Sequence, residues 1–330
     1  MTAPGTASAP FCRMIRSLLP LPLCLLAVAL ALGGVFYFAQ DAQAAPPAER
    51  ALLRYLHELE GRSAEYGWMD LHPTSVPWQH HRTTVNGRPL IFFHFGQGQG
   101  NCTLFLGGVH GDETPTVYLL LKLAEYVKDN PLLFQNKCII IAPLVNPDGF
   151  FSRPARRVNH NGVDINRNFP TRDWRALAQR RWQARYKKNG RYNPGRRAAS
   201  ERETAFQVAL IKRFRPQKIL SVHSPLGLYD YDGPTSDLDS FAKWLDAISR
   251  ETNHPLKKYG YFPGSLGNYA GKERNIFTLT LELRSSDPRK GKGYYDTFQP
   301  MMMKFLNLPI GSRPPFLPRK EDLAAAGRRS

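Results

Sequence analysis

The sequence predicts an α/β fold, a mostly parallel sheet with helices packed on it. Continuous apolar runs such as TLFL (103–106) and CIIIA (138–142) read as buried strands. Between them, TPTVYLLLKLAEYVKDN (114–130) repeats apolar residues at helical spacing, with Pro115 suited to a first helical turn. Strand, helix and strand in that order imply parallel neighbours joined by a crossover helix.

The remaining elements follow in chain order. AERALLRYLHELEG (48–61) reads as a helix followed by a loop to about Ser75. In HHRTTVNGRPLIFFHFG (80–96), Asn86-Gly87 between two strand-like runs is a hairpin signal. KCIIIAPLVNPDG (137–149) is a strand ending in a Pro-Asp-Gly turn. ETAFQVALIKRFRP (203–216) and FAKWLDAISRETN (241–253) read as helices, and KILSVHSPLG (218–227) and NIFTLTLELRS (275–285) as strands.

With 330 residues, 42% of them hydrophobic, the chain is long enough to bury a full core. Residues 1–45 stand apart. Arg13 and Arg16 precede the apolar run 17–39, and an Ala42-Gln43-Ala44 small-x-small site follows, the order of an export signal. The run exceeds the roughly 7–15 residues of a cleaved signal, so an uncleaved membrane anchor competes; Pro20 and Pro22 favour cleavage. Export places the protein in the periplasm, or on the inner membrane facing it. Residues 46–311 then form the main domain, and the Pro- and Arg-rich 312–330 a disordered tail. Beyond the signal only Cys102 and Cys138 remain, each eight residues before a turn; parallel strands would let them pair in an oxidising compartment, with buried free thiols as the alternative.

Between Thr171 and Ser200 stand ten Lys/Arg and one acid, with Trp174, Trp182, Tyr186 and Tyr192 interleaved. This segment contributes much of the net charge of +18. It is either a solvated insertion or a site for an anionic envelope polymer. Export argues against nucleic acid as a partner.

Ionisable groups gather where open α/β sheets place their sites, at strand ends. His110 and Glu113, in GGVHGDET, are spaced so that a turn can bring both onto one ion, a weak pattern alone. His223, in SVHSP, completes a His₂Glu set, the three-ligand shell that leaves zinc an open position. In RRVNHNGVDINRNFP (156–170), Asn166 and Arg167 offer an amide and a guanidinium fork for a carboxylate, and Arg157 adds a fixed cation. Glu282 sits in an apolar strand, where an unpaired carboxylate is costly; it reads as a general base or as an ion-paired structural acid.

HGDE, VNPDG, RxNxNGVDINRNFP, SVH and LELR fall in the order of the M14 zinc carboxypeptidases, and residues 80–310 resemble that family, most closely its murein peptide amidases. The resemblance implies a three-layer α/β/α fold with a mixed, mostly parallel twisted sheet in a single catalytic domain, and one Zn2+ per chain. It assigns the zinc to His110, Glu113 and His223, carbonyl polarisation to Arg157, carboxylate binding to Asn166 and Arg167, and the general base to Glu282. The family's mobile substrate tyrosine falls by ungapped count on Gly260, so neighbouring Tyr261 is the candidate. GSLGN (264–268), around the specificity pocket, offers no acid to select a basic C-terminal side chain.

The expected function is zinc-dependent hydrolysis of a peptide or amide bond. The expected substrate is a peptidoglycan stem peptide, cut at the γ-D-glutamyl–diaminopimelate bond. A general metallocarboxypeptidase and an aspartoacylase- or desuccinylase-like zinc deacylase are the enzyme alternatives. A non-catalytic envelope-binding module is the alternative of another class, and it predicts a degraded site.

Overall fold

The computed structural model describes residues 46–96, 102–233 and 238–310. The described residues from Leu52 onward belong to one compact unit. The expected signal or anchor (1–45) and the expected tail (312–330) lie outside the described residues. Among the described residues no helix is long and apolar enough to cross a membrane.

The strands are β1 (Gln79–Thr83), β2 (Pro89–Phe95), β3 (Cys102–Leu106), β4 (Cys138–Ala142), β5 (Lys218–His223), β6 (Leu228–Tyr231), β7 (Leu256–Lys257) and β8 (Phe277–Glu282). The α-helices are α1 (Pro47–Glu65), α2 (Pro115–Asp129), the single turn α3 (Pro147–Phe150), α4 (Gln179–Ala184), α5 (Arg202–Phe214), α6 (Leu238–Glu251) and α7 (Gly291–Asn307). One eight-stranded sheet runs β1-β2-β4-β3-β5-β8-β6-β7. Its centre, β4-β3-β5-β8, is parallel. Antiparallel pairs flank it, β1–β2–β4 on one side and β8–β6 on the other. The mixed, mostly parallel sheet of the sequence reading is therefore what forms.

Two cores explain the unbroken apolar strands. Side chains of a strand alternate between faces, so Leu104 and Leu106 of β3 join Phe206 and Leu210 of α5 in one core. Phe105 enters the other core, with Val117 and Leu120 of α2 and Phe298 and Phe305 of α7. A strand covered on both faces has no solvent side on which to place polar residues. Truncating fully buried Leu104 to Ala would cost about 2–5 kcal/mol.

The expected hairpin forms with a longer connection than a two-residue turn. Residues 84–88 link β1 to β2, with Gly87 at φ +81° and a shift of register between His80 and Thr83. The loop is fastened from a distance: Asp148 Oδ1 accepts from Thr84 Oγ1 (3.0 Å) and from Arg88 Nη1 (3.1 Å). The register of β3 on β4 sets Cys102 opposite Cys138, and the two form a disulfide.

Candidate metal centre

Beyond β3 the chain turns through Gly107 and Gly108, and Gly107 N donates to Ala142 O at the end of β4 (3.0 Å). Glu113 N donates to His110 O (3.1 Å), closing the turn that brings the two side chains together. Gly111 between them must lack a side chain, because a Cβ there would lie 2.2 Å from the carbonyl carbon of Gly149. Asn146, of VNPDG, holds the facing loop: its Nδ2 donates to Arg157 O (3.0 Å) and its Oδ1 accepts from Gly149 N (3.0 Å).

His110 Nδ1 lies 2.8 Å from Glu113 Oε1. His223, delivered by the end of β5, sets its Nδ1 2.9 Å from Glu113 Oε2 and 3.2 Å from His110 Nδ1. All three are buried, and their ligand atoms lie within 4.8 Å of one another. Two imidazoles and a carboxylate converging on one point match the zinc shell with an open fourth position. The other ring nitrogens are held from behind: His110 Nε2 by Asp164 Oδ1 (3.1 Å) and His223 Nε2 by Ser221 Oγ (2.9 Å). Such partners fix ring orientation for a metal. Burial alone would raise the Glu113 carboxyl, but His110 and His223 hold it well below the usual range.

Asp164, which no local sequence pattern marks, ties the site together. Its Oδ2 accepts from Arg157 Nε (3.2 Å) and Nη2 (3.0 Å), and its Oδ1 also accepts from Asn166 N (3.0 Å). Burial pushes its carboxyl up, and Arg157 and His110 overcome this to leave it well below the ordinary value. Arg157 also donates from Nη1 to Glu113 Oε1 (3.1 Å), so its charge stands at the edge of the cluster. Glu282 is paired in register with His223 across β5 and β8. Its Oε2 accepts from Leu226 N (3.4 Å), and burial, with a contribution from Glu113, raises its pKa despite His223.

Asn166 and Arg167 follow closely on Asp164, beside the cluster, and Asn166 N donates to the same carboxylate oxygen that meets His110. Asn166 Oδ1 accepts from Leu266 N (2.9 Å), and Trp174 Nε1 donates to Arg167 O (2.9 Å). The Arg167 guanidinium stands 5.0 Å from the centre of the Phe262 ring, and its Nε is buried without a hydrogen-bond partner. Tyr261 turns its hydroxyl to Gly233 O (2.8 Å). Asp112, between His110 and Glu113, pairs with Arg191 (2.8 Å).

The structure also brings in an acid absent from GSLGN itself. Asp232, just past β6, packs so closely on Gly267 that a Cβ there would lie 2.3 Å from the Asp232 Cγ. Burial and neighbouring Asp230 push its carboxyl well above the ordinary value, against Arg167 and Lys258. The contact joins segments 35 residues apart in sequence, so no local pattern announces it.

The model of the peptidase M14 family, zinc carboxypeptidase, matches residues 67–298. The chain belongs to the M14 zinc carboxypeptidases. It is a zinc-dependent hydrolase, and the complete His110–Glu113–His223 cluster suits that metal. Murein peptide amidase A of Escherichia coli (strain K12) is 32% identical over 208 residues, 62% of this chain and 80% of that protein. The crystal structure of a murein-tripeptide amidase from Escherichia coli O157 superposes with a TM-score of 0.51 at 25% identity, covering 71% of this chain and 93% of that one. The fold is shared more widely: bovine thrombin-activatable fibrinolysis inhibitor gives a TM-score of 0.60 at 17% identity, covering 78% and 95%.

Proposed function

We propose that this M14 enzyme is an exported amidase that cuts the γ-D-glutamyl–diaminopimelate bond of peptidoglycan stem peptides. The observation that carries the reading is the likeness to murein peptide amidase A, which extends over 80% of that protein and accompanies an intact ligand set. Export rests on the sequence of residues 1–45.

His110, Glu113 and His223 would hold the zinc, which when bound would supply Lewis acidity toward the scissile carbonyl and the attacking water. Glu282 takes the proton from that water as its oxygen bonds to the carbonyl carbon. It returns the proton to the departing nitrogen as the C–N bond breaks. Arg157, oriented by Asp164 and Glu113, supports negative charge that grows on the carbonyl oxygen. Asn166 and Arg167 grip a carboxylate on the leaving side and so set which bond reaches the metal. In a diaminopimelate leaving group that carboxylate is the one next to the cleaved amide, which is how a carboxypeptidase-type site performs an amidase cut.

The test is incubation with L-alanyl-γ-D-glutamyl-meso-diaminopimelate beside an ordinary C-terminal peptide, with products identified by mass spectrometry. Release of free diaminopimelate from the first supports the proposal. Trimming of the ordinary peptide alone would show a general metallocarboxypeptidase.

A further inference from the structure

The basic segment 171–200 is bonded to the loop that carries Asp164, Asn166 and Arg167. Asp164 N donates to Asn193 O (2.8 Å), Ala199 N to Asn168 O (2.7 Å), and Asn168 Nδ2 to Pro194 O (2.8 Å). Arg191 fastens the segment to Asp112, between His110 and Glu113. The Tyr192 ring stands 5.7 Å from the Arg157 guanidinium and stacks on Tyr186 with centroids 4.4 Å apart. The segment thus forms a wall running from Arg157 toward Arg167.

At the far end of this wall Arg181, at the start of α4, sets its guanidinium 5.7 Å from the centre of the Phe262 ring. Arg167 approaches the same ring at 5.0 Å. The two arginines line one small cavity with Trp182, Tyr186, Tyr192 and Phe262. Among the described residues no ion pair to a carboxylate forms at either arginine, and Arg167 Nε is buried without a hydrogen-bond partner. Two guanidinium groups sharing a cavity repel each other, and a buried donor without an acceptor is costly. Both conditions are relieved by an anion with more than one carboxylate oxygen to offer. An arginine fork is the side chain best shaped for that contact.

We infer that Arg181 is a specificity-determining residue, which binds a second carboxylate carried on the side chain of the leaving residue while Arg167 binds the first. The inference rests on the proposed amidase function and narrows it to leaving groups that are dicarboxylates. It also gives one basic residue of the segment a role beside the site, independent of any envelope polymer.

The decisive comparison uses the full chain loaded with zinc and two synthetic substrates, L-alanyl-γ-D-glutamyl-meso-diaminopimelate and L-alanyl-γ-D-glutamyl-L-lysine. They differ only in the distal carboxylate. Wild-type enzyme is expected to favour the diaminopimelate substrate in kcat/KM. Arg181→Gln is expected to lower that value roughly tenfold to a hundredfold, the range of a charge-assisted contact, mainly through KM. The same variant leaves the lysine substrate unchanged, and Arg181→Lys recovers part of the loss. An Arg181→Gln variant that keeps the full preference overturns the inference while the amidase reading stands. An equal fall on both substrates overturns it too, since a displaced wall does not distinguish the distal carboxylate. Failure of the wild type on both substrates, with retained cleavage of an ordinary C-terminal peptide, removes the amidase reading and the inference with it.

Discussion

His223 and Glu282 face each other across the parallel register of β5 and β8, so a candidate metal ligand and a carboxylate outside the cluster stand at the same end of two central strands. Glu282 is largely shielded from water, and its raised pKa suits a group that must both accept and return a proton. Glu282→Gln keeps the shape and removes the base. Turnover should fall by about 10²–10⁴-fold with roughly one zinc per chain retained. Steady-state kinetics beside metal analysis decides it, and near-normal turnover would exclude Glu282 as the base.

Asp164 holds His110 from behind and carries Arg157 on its other oxygen. Asp164→Asn therefore loosens the ligand and frees the cation together. Zinc affinity, measured by competition with a chromophoric chelator, should weaken about 10–100-fold. An unchanged affinity would mean that ring orientation at His110 does not depend on this contact.

Asp164 also shows which parts of the site were legible in sequence. His110, His223 and Glu282 stand at or just beyond the ends of apolar strands, and Glu113 shares a turn with His110, so local pattern and residue chemistry suffice. Asp164 reaches His110 across 54 residues and Asp232 reaches Gly267 across 35, contacts that no periodicity encodes. The same limit applies to the sheet. Its parallel centre follows from strand–helix–strand order, but the placing of β4 between β2 and β3, and of β8 between β5 and β6, is set by tertiary packing. The basic segment was legible as a charge run, and its place beside the site was not, because Arg181 and Phe262 meet only in the fold.

Cys102 and Cys138 were open to two readings until register was known. Their disulfide closes a loop with a sequence separation of 36 that contains the His110–Glu113 turn and α2. On chain-entropy grounds such a link stabilises by about 3–4 kcal/mol. Thermal unfolding with and without reductant should show the loss, and a Cys102→Ala/Cys138→Ala variant should match the reduced protein and ignore reductant. A variant as stable as the oxidised protein would show that packing of β3 on β4 alone carries the stability.

Glu203, in the first turn of α5, anchors the loop that carries Arg157, Asn166 and Arg167. Its Oε2 accepts from Asn159 Nδ2 (3.0 Å), while its Oε1 is buried without a partner. Asn159 Oδ1 in turn accepts from Asn161 N (3.1 Å) and Val163 N (3.0 Å). Burial, with Asp148 and Glu201 adding, raises the Glu203 pKa to about 7. A carboxyl whose folded pKa lies above its unfolded value stabilises the fold when protonated. That contribution is complete below about pH 4.5 and is lost as pH rises through about 7. The difference corresponds to roughly 3 kcal/mol. Glu203→Gln mimics the protonated form, so its thermal stability should lack this component between pH 4.5 and 8 and exceed that of the wild type at pH 8. Parallel stability–pH curves for the two proteins would mean that Glu203 ionises in the folded state at an ordinary carboxylate pH.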